Sequence, residues 1–178
     1  MKSVLLAFAL VSALVAAGTP GVSREALASV ERSMDSAVRS WDITEPYDLL
    51  GFTRGVYLPG YGVVFTSEVN LVVTVITPFS PPPTGNRLVQ LKEKKQRRLA
   101  FVRGWMRDAL VNAGAALNEA PPQERVAFAM TLFYQSFEDR RGMPSQIVIE
   151  APRQTLVDFK AGRISRQQLD AAIQSWEL

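Results

Sequence analysis

The chain has 178 residues with 20 basic and 17 acidic side chains, a formal net charge of +3, and neither cysteine nor histidine. The missing cysteine removes disulfides, thiol nucleophiles, iron–sulfur ligation and most structural zinc sites. The missing histidine removes the Ser-His-Asp triad, the imidazole base, histidine-bound metals and the imidazole pH switch, so any catalysis has to use carboxylates, hydroxyls, lysine, arginine or an oxygen-ligated cation.

Residues 1–17 place Lys2 ahead of an apolar run, Val4 to Ala17, that closes on small residues and is followed by Gly18, Thr19, Pro20 and Gly21. That pattern reads as a secretory signal peptide, too short to cross a bilayer comfortably, with cleavage expected after Ala17 or Ala16. The residue left at the new N-terminus is not cysteine, which excludes a bacterial lipoprotein, and no second apolar run reaches membrane-spanning length. Residues 18–178 are therefore expected to form one exported domain, periplasmic or secreted, large enough to bury an ordinary core.

A first helix is expected over 23–41, with Ser23 as N-cap and Leu27, Val30, Met34, Val38 and Trp41 on one stripe. From about residue 54 to 77 the period shortens to two. Val63, Phe65, Val69, Leu71, Val73 and Val75 fall on one face, and Thr66, Glu68, Asn70 and Thr74 on the other. Pro59-Gly60 suits the centre of a type II turn, so this stretch reads as a β-hairpin. The prolines at 78 and 81–83 end it as a rigid connector, with a polyproline ligand as the alternative.

A long helix follows over 87–117, its stripe traced by Leu88, Leu91, Leu99, Val102, Met106, Ala109, Leu110, Ala113 and Leu117 until Pro121 and Pro122 stop it. Residues 125–137 fit a helical stripe and an alternating strand about equally well, and periodicity leaves the choice open. A short strand is expected at 146–151 and a helix at 153–161 ended by Gly162. A last helix is expected over 165–176, with Ser165 and Gln168 as a capping box and Leu169, Ile173 and Trp176 buried. The order implies an α+β fold, a mostly antiparallel sheet with helices packed largely on one face.

The segments Gly55-Val56-Tyr57-Leu58-Pro59-Gly60-Tyr61-Gly62-Val63-Val64-Phe65-Thr66 and Leu156-Val157-Asp158-Phe159-Lys160-Ala161-Gly162-Arg163-Ile164-Ser165 resemble a group of uncharacterised exported bacterial proteins. The likeness covers most of the chain beyond the leader. It implies that the segment Gln123 to Phe137 is a strand, which settles the open choice at 125–137 in favour of strand, and it brings no activity and no site residue.

Charge is uneven: residues 86–117 hold eight basic side chains against two acidic ones, a local excess that argues no general affinity for nucleic acid. Two segments are candidate interaction surfaces. Tyr57 and Tyr61 flank a glycine-rich turn that reads first as a tight hairpin and otherwise as an aromatic grip for a sugar or peptide. Lys94, Lys95, Arg97 and Arg98 point almost all round their helix, which reads first as a solvated face and otherwise as a contact for an anionic surface. Phe101 and Trp105 lie off the main stripe and are expected to cover a second element, with a sticky surface patch as the alternative. Glu68, between Thr66 and Asn70, lacks an evident partner carboxylate for hydrolysis, Asp48 and Glu150 being guesses. No catalytic, metal or cofactor residue is nominated. The expected function is a non-enzymatic binding or structural module of the bacterial envelope, engaging an envelope protein or anionic surface. The alternatives are a carboxylate hydrolase and a peripheral binder of anionic membrane through the basic helix.

Overall fold

Residues 21–79 and 81–178 are described in a computed structural model, and the leader read at residues 1–17 lies outside the described residues. Helix α1 (Arg24–Ser40) begins where the sequence expects it, because the Ser23 side chain accepts a hydrogen bond from the Ala26 amide at 3.2 Å. Leu27, Val30, Met34 and Val38 form its buried stripe.

Strands β1 (Asp48–Leu58) and β2 (Gly62–Asn70) pair antiparallel. Between them the Tyr61 amide donates to the Leu58 carbonyl at 3.0 Å and Gly60 takes φ +81°, the geometry of a type II turn. Gly62, at φ +133°, opens β2 where the chain meets a third strand, and a Cβ there would stand 1.9 Å from the Arg125 carbonyl oxygen. Both hairpin boundaries differ from the expectation. β1 starts six residues before Arg54, behind register shifts at Leu49/Gly51 and Gly51/Arg54 that blur the alternation. β2 stops at Asn70, whose side chain accepts from the Val72 amide at 3.2 Å and turns the backbone off the ladder. Val73 and Val75, expected in the core, are exposed as a result.

Helix α2 (Asn86–Ala116) crosses the sheet and delivers β3 (Arg125–Leu132) parallel to β2, in continuous register from Gly62↔Arg125 to Val69↔Leu132. Residues 125–132 are thus a strand, shorter than the 125–137 expected. β4 (Gln146–Pro152) returns antiparallel, and α3 (Arg153–Lys160) and α4 (Arg166–Ala172) follow. The capping box of Ser165 and Gln168 is formed in both directions. The last helix is shorter than expected. Ile173 is extended, and Gln174–Glu177 form a fifth strand, β5, antiparallel to β4, which leaves Trp176 46% exposed instead of buried.

The sheet order is β1-β2-β3-β4-β5 with only the β2–β3 pairing parallel, so the fold is a single α+β domain with a mostly antiparallel sheet. Phe65, Val69, Val126, Phe128, Met130, Ile147 and Ile149 form the floor of the core beneath Leu99, Val102, Met106 and Leu110 of α2. Gly114 lets α2 and α3 close up, since a Cβ there would stand 2.6 Å from Leu156. The opposite face of the sheet carries Leu50, Phe52, Val56, Thr66 and Glu68, all exposed.

Candidate functional site

At the hairpin end of the sheet both candidate tyrosines are tied down by carboxylates. The Tyr57 hydroxyl donates to Glu124 at 3.0 Å, and the same Glu124 oxygen accepts from the Gly60 amide at 3.1 Å. The Tyr61 hydroxyl donates to Glu150, which is also paired with Arg125 at 2.7 Å. Burial raises both phenols, Tyr61 to about 12, and the acceptor carboxylates add to the effect. These hydroxyls brace the turn against the start of β3 and the end of β4, which supports the tight-hairpin reading.

The four basic candidates on α2 divide. Lys94 pairs with Glu45 and stays partly exposed, while Arg97 is exposed and has no ion pair among the described residues. Lys95 and Arg98 turn inward, a departure from the solvated face expected of them. Lys95 is 1% exposed; its ammonium donates to Glu138 at 2.8 Å and to the Phe133 carbonyl at 3.3 Å, and lies 4.8 Å from the Tyr134 ring centroid. Burial pushes this ammonium below its usual value, against the pull of Glu138. Arg98 donates to the Leu71 carbonyl at 2.6 Å and to Asp42 at 3.0 Å, with its guanidinium 4.2 Å from the Tyr47 ring centroid. One helix face thus pins three loops. The signal was present in the sequence: Lys95 fills the gap between Leu91 and Leu99 on the apolar stripe, and Arg98 precedes Val102 by one turn. Trp105 and Phe101 pack edge-on to Trp41, the residue that caps α1, at 4.8 and 5.5 Å, and Phe101 keeps an exposed side.

Glu68 stands exposed on the open face beside Thr131, and the groove it lines contains no second acidic side chain. Glu150 sits in another row, four residues along β4 from the Gln146 that shares the Glu68 row, about 13 Å by strand rise alone. That exceeds the roughly 5–9 Å between paired glycosidase carboxylates. The groove between α1 and α2, lined by Ser29, Ser33, Met34, Trp105 and Asn112 among others, has no titratable side chain in its walls. Among the described residues no group of three or more acids is placed to hold a metal ion.

What the sequence did not suggest lies along β1. Two of its free-edge amides are taken by α1: the Thr53 amide donates to Asp35 at 2.9 Å and the Gly55 amide to Glu31 at 2.7 Å. Burial works against the Glu31 carboxylate, yet Arg24 and the Gly55 amide together hold it below its usual range. The middle of the edge, at Thr53 and Gly55, is occupied by α1 while the face stays apolar and open. Leu50, Phe52, Val56 and Leu58 are all exposed, and the guanidiniums of Arg39 and Arg54 lie 5.5 and 5.7 Å from the Phe52 ring centroid. Neither arginine forms a direct ion pair among the described residues, although the charge of Arg54 helps to lower Glu31.

Comparison with protein families, curated proteins and solved structures finds no match.

Proposed function

We propose that the protein is a non-enzymatic binding module of the bacterial envelope that docks another envelope protein on the open face of its sheet along β1. The observation that carries this reading is the contrast within one strand: α1 spends two buried carboxylates to occupy the β1 edge, while Leu50, Phe52, Val56 and Leu58 remain in water on its face. Arg39 and Arg54 give the patch a basic rim, so the partner it fits is an apolar surface bordered by acidic side chains. The leader pattern of residues 1–17 supports export, and the likeness of residues 55–66 and 156–165 to exported bacterial proteins supports the envelope as the place of work.

The test replaces Val56 with a photo-crosslinking amino acid in the exported protein and irradiates whole envelopes. The expected result is one discrete protein adduct that is lost with Phe52→Ser and absent when the crosslinker sits at Gln154 on α3. An adduct indifferent to Phe52→Ser, or no adduct, overturns the reading. So does turnover of a substrate by the purified protein that a single carboxylate substitution abolishes.

A further inference from the structure

Residues 71–79 and 81–85, between β2 and α2, hold no helix or strand beyond an isolated bridge at Thr77, and a connection of this length is long for a compact domain. No charged residue occurs between Glu68 and Arg87 and no acidic one between Glu68 and Glu93. Folding leaves the apolar side chains of this loop in water: Phe79 is 97% exposed, Val75 is 67% exposed, and Val73 and Ile76 are exposed with them. The loop leaves the sheet at a firmly held point, because Arg98 on α2 fixes the Leu71 carbonyl and is itself held by Asp42. Its far end is basic. Phe79, Pro81, Pro82, Pro83 and Arg87 line one open groove, and Arg87 has no acidic partner among the described residues. Lys94 stands two turns further along the same helix face, partly exposed beside Glu45.

We infer that this loop is a membrane-contact element that sets Phe79, Val75 and Ile76 into the surface of an anionic phospholipid bilayer, with Arg87 against the headgroup phosphates. Three features select a bilayer over a protein partner. The apolar side chains project from a loop and do not form a flat face. The stretch carries no carboxylate to be repelled by anionic lipid or desolvated at the interface. Its four prolines, Pro78 and Pro81–Pro83, have no amide hydrogen, which lowers the number of backbone donors left unpaired on entering an apolar medium. The two readings rest on different side chains, Phe52 on β1 and Phe79 in the loop, so single variants tell their failures apart.

The test is co-sedimentation with vesicles of phosphatidylglycerol and phosphatidylcholine, against vesicles of phosphatidylcholine alone. The protein used lacks residues 1–17; every core residue described lies at Val22 or beyond. Binding to the anionic vesicles is expected, weakening as salt rises toward about 1 M, where screening shortens to about 3 Å. Phe79→Ser should weaken partition by about tenfold or more, the scale of one phenylalanine's transfer from water. Arg87→Gln should reduce the preference for anionic vesicles and its salt dependence. Phe52→Ser, on the sheet face, should bind vesicles like the unaltered protein. Since Phe79 and Arg87 are exposed, their variants should keep the thermal midpoint, which separates lost contact from lost fold. Equal binding by Phe79→Ser, absence of binding to anionic vesicles, indifference to lipid charge, or loss on Phe52→Ser in place of Phe79→Ser each overturns the inference.

Discussion

Lys95 shows how far a residue's role can depart from its type. Seven residues from Lys92 to Arg98 include five cations, and in isolation such a run reads as a solvated helix surface. What decides between water and core is the stripe position, and Lys95 and Arg98 occupy stripe positions. Lys95 then needs an anion from another part of the chain, and Glu138 supplies it with its side chain 5% exposed. The pair is a conditional element: it holds while both partners are present, and either one alone is a buried charge. Lys95→Met is therefore expected to destabilise the fold by about 3–5 kcal/mol, and Lys95→Met with Glu138→Leu by much less than that, as for buried pairs replaced by apolar residues. Urea midpoints of the two variants check it, and a double variant as unstable as the single one would show that the pair is not the unit of cost. The stripe was legible in the sequence, but the identity of the acid was not, because it lies 43 residues away in a loop that periodicity does not place.

At the scale of elements, what the sequence announced best were units closed by local chemistry. The Ser23 cap, the Pro59-Gly60 turn and the Ser165/Gln168 box each need only neighbours within a few residues. What it announced poorly were strands whose limits are set by pairing. β5 exists because Gln174–Glu177 meet the edge of β4, and nothing within Gln-Ser-Trp-Glu requires extension. The candidate surface along β1 was hidden for the same reason, since Leu50 and Phe52 become a face only once the register is known. The edge seal by α1 makes this concrete. Glu31 and Asp35 lie one turn apart, facing the Thr53 and Gly55 amides, so replacing both strips two hydrogen bonds from a strand edge. Glu31→Ala with Asp35→Ala should lower stability by about 1–3 kcal/mol for each amide left unsatisfied and should increase self-association through the freed edge. Urea unfolding and sedimentation velocity read the two effects. A variant that is destabilised without associating would show that the carboxylates only anchor α1.

For the whole molecule, the basic excess of residues 86–117 is largely spent on internal stitching. Lys92 reaches Asp139, Lys94 reaches Glu45, Lys95 reaches Glu138, Arg98 reaches Asp42 and Arg103 reaches Glu177, so α2 is bound to loops before and after it in the chain and to β5. The alkaline composition therefore describes a clamp as much as a surface, and of the four cations read as candidate contacts Lys95 and Arg98 turn inward while Lys94 and Arg97 keep access to water. The same stitching surrounds the tyrosines. All four are raised above the ordinary phenol value, in each case first by burial, and then by Glu124 at Tyr57, Glu150 at Tyr61, Asp42 at Tyr47 and Glu138 at Tyr134. Tyr61 and Tyr134 reach about 12. Because the folded state keeps protons that the unfolded chain releases near pH 10, this contribution to stability is intact below pH 10 and is lost as pH rises from 10 toward 12. Lys95, held below its usual value, acts with the opposite sign, but it is one group against four. Phenolate absorbance at pH 10 should therefore be lower in the native protein than in the unfolded chain, where about half of free phenols are ionised, and the urea midpoint should fall as pH rises from 10 toward 12. Tyr61→Phe should flatten that fall, since it removes one of the two most displaced groups without removing the ring. As much phenolate at pH 10 in the folded protein as in the unfolded chain would mean that the tyrosine hydroxyls are in water, and the braced hairpin of Tyr57 and Tyr61 would have to be abandoned with them.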